Sequence, residues 1–162
     1  MLILVSDTSV LIDLERGGLL ELAFRGPWTL VVPDLLYERE LASENGPYLR
    51  SLGLGVVSLT GEEVEDAQAL SEKRQALSLS DCFALCLAHR ADHLLLSGDG
   101  AMRDEAEARR VRCHGLLWLL DELRAHQPES GRALLEGLRA IHDHPRCRLP
   151  KLEVTRRLRA WQ

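Results

Sequence analysis

Aromatic side chains are scarce in this sequence, 4% of 162 residues, which leaves little material for reading bases by stacking. Lysine is nearly missing too: among 20 basic residues only Lys73 and Lys151 are not arginine. The four cysteines, Cys82, Cys86, Cys113 and Cys147, are scattered and do not frame a disulfide scaffold. No apolar run approaches the roughly 18–20 residues that cross a bilayer, so no membrane association is expected. Met1 to Val5 is apolar but meets Ser6 and Asp7 at once, with no basic leader and no small-residue cleavage site. A reducing, cytoplasmic setting is the resulting expectation. Low-complexity tracts and internal repeats are absent, which excludes a disordered or solenoid chain. The glycines make no dinucleotide fingerprint, since the segment after the first apolar run lacks the spacing.

What remains is an ordinary globular composition, 46% hydrophobic and 28% charged, in a length suited to one compact core. The net charge of −5 is unevenly spread. From Arg146 onward six basic residues face a single acid, Glu153, so the rest of the chain is more acidic than the total suggests. We therefore expect a main domain over 1–145 and a basic C-terminal helical extension over 146–162 packed on it. Such a tail suits phosphate contact, and it equally suits a solvated helix face.

Short β-like runs alternate with helix-like stretches. Leu2 to Ser6 reads as a buried strand, Val10 to Phe24 as a helix, and Trp28 to Val32 as a second strand. Pro33 suits the first turn of a helix to about Ser43. Asn45-Gly46-Pro47 signals a turn, and Val56 to Leu59 a third strand. Thr60 and Glu63 form a capping-box pattern for a helix toward Arg74. Ser80 is placed to cap a helix from Asp81 to Arg90, apolar nearly all round and so buried. A strand from His93 to Ser97, a tight turn at Gly98-Asp99-Gly100 and a helix from Ala101 to Arg109 follow. Then come a short strand, Val111 to His114, and helices at Leu116–Ala125, Ser130–Ile141 and Leu152–Trp161. This alternation predicts an α/β fold with a largely parallel sheet covered on both faces.

In such sheets, sites lie beyond the carboxyl ends of strands. Asp7 follows the first strand directly, and Asp99 follows Leu94-Leu95-Leu96-Ser97 after one glycine. Asp81 begins the most apolar helix, and Glu38 and Glu40 lie on the helix after the second strand. Carboxylates gathered in one crevice repel one another unless a cation neutralises them, and an all-oxygen site suits Mg²⁺ or Mn²⁺. Local readings compete with this one: Asp7 and Asp81 also suit helix starts, and Gly98-Asp99-Gly100 a simple turn.

The order and spacing of these pieces resemble the PIN-domain family across nearly the whole chain. The matching segments are Ser6-Asp7-Thr8-Ser9, a helical Glu after Val32-Pro33-Asp34, Leu79-Ser80-Asp81, and Leu96-Ser97-Gly98-Asp99. Cys113-His114-Gly115-Leu116-Leu117-Trp118 looks like a PIN subgroup of nucleic-acid-binding proteins. The resemblance implies a three-layer α/β/α sandwich with a mainly parallel central sheet. It implies Asp7, a helical Glu, Asp81 and Asp99 as an acidic quartet, with Ser9 and Ser97 as polar support. It implies cleavage of RNA phosphodiesters with Mg²⁺ or Mn²⁺, often in a homodimer. Many small bacterial members are toxins silenced by a small antitoxin protein. One departure concerns the helical Glu. The family places it six residues after a proline like Pro33, and here that position is Arg39, flanked by Glu38 and Glu40. Glu40, which precedes Leu41, is preferred, with Glu38 as the alternate. The displaced Glu also keeps open a PIN fold that binds RNA or protein without cutting.

For gripping phosphate the chain offers arginine forks. Arg103, Arg109, Arg110 and Arg112, close after Asp99, are candidates together with the C-terminal arginines. His142-Asp143-His144 with Cys147 invites a zinc reading, but the adjacent Pro145 favours a loop. Cys82 and Cys86 read as small core residues, and Trp118 as core or dimer interface.

Overall fold

The computed structural model describes residues 1–162, with the strands β1 (Leu2–Ser6), β2 (Trp28–Pro33), β3 (Gly55–Val57), β4 (His93–Leu96) and β5 (Cys113–His114) in one sheet. All four pairings are parallel, in the order β3-β2-β1-β4-β5. The chain runs outward from β1 to β2 and β3, then returns to the other side of β1 as β4. That reversal sets a topological switch point at the carboxyl ends of β1 and β4, where open parallel sheets form a crevice.

Helices cover both faces, as apolar strands buried on two sides require. One face carries α1 (Thr8–Arg16), α2 (Leu20–Phe24), α8 (Leu116–His126), α9 (Gly131–Asp143) and α10 (Lys151–Ala160), whose apolar residues join a core cluster of 26 buried side chains. The other carries α5 (Gly61–Lys73), α6 (Leu79–Ala88) and α7 (Gly100–Ala108) over a cluster of 16. Helix α6 has every residue from Cys82 to Ala88 buried, as its all-round apolar sequence predicts. The two clusters divide β1 between them by alternation: Leu4 faces the first and Val5 the second. The sandwich and the parallel sheet are therefore as the sequence implied.

Element boundaries differ in instructive ways. The helix expected over Val10 to Phe24 is two, because the chain turns at Gly17-Gly18, where Gly18 takes φ +65. Gly17 also admits α9: a Cβ there would lie 2.8 Å from the Ile141 side chain. Pro33 is not in a first helical turn. It ends β2 with an extended ψ of 149°, and α3 (Asp34–Leu36) begins one residue later. The Asn45-Gly46-Pro47 turn opens a helix the sequence did not announce, α4 (Gly46–Leu52), with Pro47 tolerated in its first turn. Strand β3 stops at Val57 rather than Leu59, because its partner β2 ends at Pro33. Helix α6 is capped by Ser78, not Ser80. The Ser78 hydroxyl accepts from the Asp81 N–H and the Asp81 carboxylate from the Ser78 N–H, each at 3.0 Å, which starts the helix two residues early.

Helix α10 is seated by Val154, fully buried, and by Arg157, whose guanidinium donates to both carboxylate oxygens of Asp121 on α8 at 2.9 and 2.7 Å. Burying a valine contributes about 1.5–3 kcal/mol, so the last helix is held by packing as well as charge.

Candidate active site

At the switch point lies a cleft of about 650 Å³. Asp7, Ser9, Glu40, Asp81 and Asp99 all line it, together with Thr8, Asp13, Arg16, Arg146 and Arg148. Glu38 is not among the lining residues, nor are Arg103, Arg109, Arg110 and Arg112.

Asp7 sits where β1 hands over to α1. Its backbone N–H continues the ladder to the Leu96 carbonyl at 3.0 Å, and its side chain caps α1 by accepting from the Val10 N–H at 3.0 Å. The Ser9 hydroxyl donates to the same oxygen at 2.9 Å, and the Ser97 hydroxyl donates to the other at 2.5 Å. The carboxylate is thus fixed by three donors and is only 6% exposed. Burial pushes its pKa up; the bonds from Ser97, Val10 and Ser9 pull it back, and the nearby Asp81 charge adds to the rise. A carboxylate offers about four lone-pair sites, so one remains open.

Ser97 ties the two strand ends together. While donating to Asp7 its oxygen accepts from the Asp99 N–H at 3.1 Å. Asp99 then caps α7, accepting from the Met102 N–H at 3.0 Å through one oxygen. The expected turn at Gly98-Asp99-Gly100 is this capped helix start. Asp81 likewise uses one oxygen on its own cap. Each of the three aspartates therefore performs the local duty that competed with the metal reading, and each also lines the cleft. The two readings describe the same geometry.

Glu40 arrives by another route. Residues Tyr37–Leu41 form a π turn, closed by the Ala42 N–H to the Tyr37 carbonyl at 2.8 Å. A π turn holds one residue more than an α turn, so side chains beyond it rotate back by one position. Glu40 lies within this turn and lines the cleft, whereas Arg39 does not. Glu38 and Glu40, two positions apart, lie on different faces.

The arginines nominated after Asp99 sit elsewhere. Arg109 pairs with the buried Glu105 at 3.7 Å, and Arg112 donates to the His93 carbonyl at 3.4 Å. Arg103 and Arg110 are exposed outside the cleft. Sequence reasoning passed over Thr8, Asp13 and Arg16. Asp13 and Arg16 continue the face of Ser9 at helical spacing, a signal that was there to read. Trp118 packs partly buried against the core, stacked on His114 with centroids 4.4 Å apart.

The donor set is hard oxygen throughout, which suits Mg²⁺ or Mn²⁺. The Thr8 hydroxyl is the one buried side-chain polar atom without a partner, in a residue that lines the cleft. On the other side, no three His, Cys, Asp or Glu side chains are grouped closely enough to enclose an ion. The chemistry of the residues fits a divalent cation, while the carboxylates stand around the cleft rather than drawn together.

The PIN-domain family model matches residues 3–162, and the chain belongs to that family. No curated protein matches it in sequence. No helix is long and apolar enough to cross a membrane.

Proposed function

We propose that this chain is a divalent-metal-dependent ribonuclease that hydrolyses RNA phosphodiesters in the switch-point cleft. The observation that carries the reading is the shared cleft wall: Asp7, Glu40, Asp81 and Asp99 come from four separate segments and all line this one cleft. These four would hold Mg²⁺ or Mn²⁺. When bound, such a cation lowers the pKa of a water and offsets charge gathering on the phosphate.

The chain's own residues prepare for that. Ser9, Ser97 and the Val10 N–H fix the Asp7 carboxylate, so it needs no reorganisation to serve as a ligand. Ser97 sets the distance between Asp7 and the Asp99 backbone. Burial of Asp7 beside Asp81 raises the free energy of the empty, ionised cleft, which favours taking up a cation.

The test is cleavage of a labelled mixed RNA pool with Mn²⁺, with Mg²⁺ and with EDTA, beside Asp99→Asn, whose exposed side chain can change without disturbing the core. Metal-dependent cutting lost in the variant supports the enzyme. A folded protein that binds RNA and never cuts it supports the second reading, a non-catalytic PIN module, which the spread of the carboxylates favours.

Finer features belong to the same proposal: RNA rather than DNA as substrate, a homodimer and a toxin role with a small antitoxin partner follow the family resemblance, and cytoplasmic residence follows the scattered cysteines. The division into a nuclease domain over 1–145 and a basic extension over 146–162 rests on the charge distribution along the chain. Sedimentation at several concentrations checks the dimer.

A further inference from the structure

The basic residues of the C-terminal segment have different surroundings. Arg157 is bound by Asp121 and Glu153, and Arg156 faces Glu153 at 3.5 Å. Arg146 and Arg148 stand apart. Both are exposed, neither takes part in a salt bridge, neither guanidinium donates a hydrogen bond, and both line the acidic cleft.

They lie on the strap that joins α9 to α10. This strap is not loose. The Arg146 N–H donates to the His144 ring nitrogen at 3.1 Å, the Cys147 N–H to the His144 carbonyl at 3.0 Å, and Cys147 and Leu149 pack on the core. Fully buried Ile141 and Val154 clamp the helices at its two ends. Two unpaired guanidiniums are thus held on the wall of a cleft lined by five carboxylates, without pairing with them. Guanidinium forks match phosphate oxygens bidentately, and an acidic cleft that takes a polyanion needs opposing charge at its rim.

We infer that Arg146 and Arg148 form a phosphate-gripping strap that holds the RNA backbone at the cleft without help from a cation. The inference rests on the reading of the cleft as an RNA site for the identity of the polyanion. The strap acts on binding and leaves the bond-breaking step to the carboxylates.

The experiment measures binding of a short fluorescein-labelled single-stranded RNA in EDTA at a series of salt concentrations. For single strands, each lost phosphate contact flattens log K against log salt by about 0.7. The double variant Arg146→Gln, Arg148→Gln is expected to lose about 1.4 in slope. Raising salt from about 50 to 200 mM then weakens the unaltered chain about sevenfold more than the variant. Arg156→Gln, Arg159→Gln removes the same charge from α10 and is expected to keep the slope. Equal slopes in the unaltered chain and the strap variant would overturn the inference. So would the same loss in the α10 variant, or no RNA binding by the unaltered chain in EDTA. With Mn²⁺ present, the strap variant is expected to raise KM and keep kcat. A slope difference without any cleavage keeps the strap and removes the nuclease; cleavage without a slope difference does the reverse.

Discussion

Helices α5 and α6 open alike. A hydroxyl residue caps each, Thr60 or Ser78, and the acid three positions on, Glu63 or Asp81, reaches back to the cap's N–H. Their surroundings then differ. Glu63 also receives both arms of Arg90, at 2.9 and 2.7 Å, and that guanidinium holds its pKa down at about 2. Asp81 has no ion pair; it lines the cleft, where its charge raises the pKa of Asp7. In one motif both carboxylate oxygens are taken up by the cap and an ion pair, and in the other one oxygen is left unbound on the cleft wall. The difference is made by Arg90, a residue neither motif contains.

The widest separation should appear in activity. Asp81→Asn is expected to lower metal-dependent RNA cleavage at least about a hundredfold, while Glu63→Gln leaves it within about twofold. Single-turnover assays of the two variants side by side check this; equal losses would erase the distinction between the caps. Next in size, Glu40→Gln is expected to cost about tenfold or more and Glu38→Gln less than twofold, since only Glu40 lines the cleft. A reversed order would take Glu40 out of the cleft's working set.

Stability should divide the other way. Glu63→Gln replaces a charged, two-armed bond shielded from full solvent, and we expect a loss of about 1–2 kcal/mol. In a chain of this size that lowers Tm by roughly 2–8 °C, readable by calorimetry. Asp81→Asn should lose under about 1 kcal/mol, because the Ser78 hydroxyl still accepts from the residue 81 N–H.

The smallest effects are in pH dependence, and their signs are opposite. Glu63 is held below its ordinary 4.5, so its contribution is full above that value and is lost as pH falls toward about 2. Asp7 is raised above 3.8, so the folded chain holds its proton more tightly than the unfolded one. Its contribution to stability is present below 3.8 and is lost as pH rises through the raised value. Denaturant titrations of Glu63→Gln and Asp7→Asn across acid pH should remove these two slopes separately.

Sequence reasoning succeeded where a local rule had no competitor. The alternation of apolar strands and amphipathic helices gave the layered α/β fold, and the all-round apolar α6 was rightly expected to be buried. It missed where two local rules conflicted. Ser78 and Ser80 both precede Asp81, and only reciprocal bonds with Asp81 decide for Ser78. Gly17-Gly18 breaks a helix whose apolar periodicity continues across it, because the chain turns there with Gly18 at positive φ.

By itself, then, the sequence determined the strands, most helices, and the acids at strand ends and helix starts, since each depends on neighbours a few residues away. Tertiary structure alone decided that β1 and β4 lie side by side, so that Ser97 bonds Asp7 across ninety positions. It also decided that a π turn presents Glu40, and that Arg146 and Arg148 reach the cleft while Arg103 to Arg112 do not. The physical reason is that periodicity and capping fix which way a side chain leaves its own element. What that side chain meets depends on the packing of elements far apart in the chain.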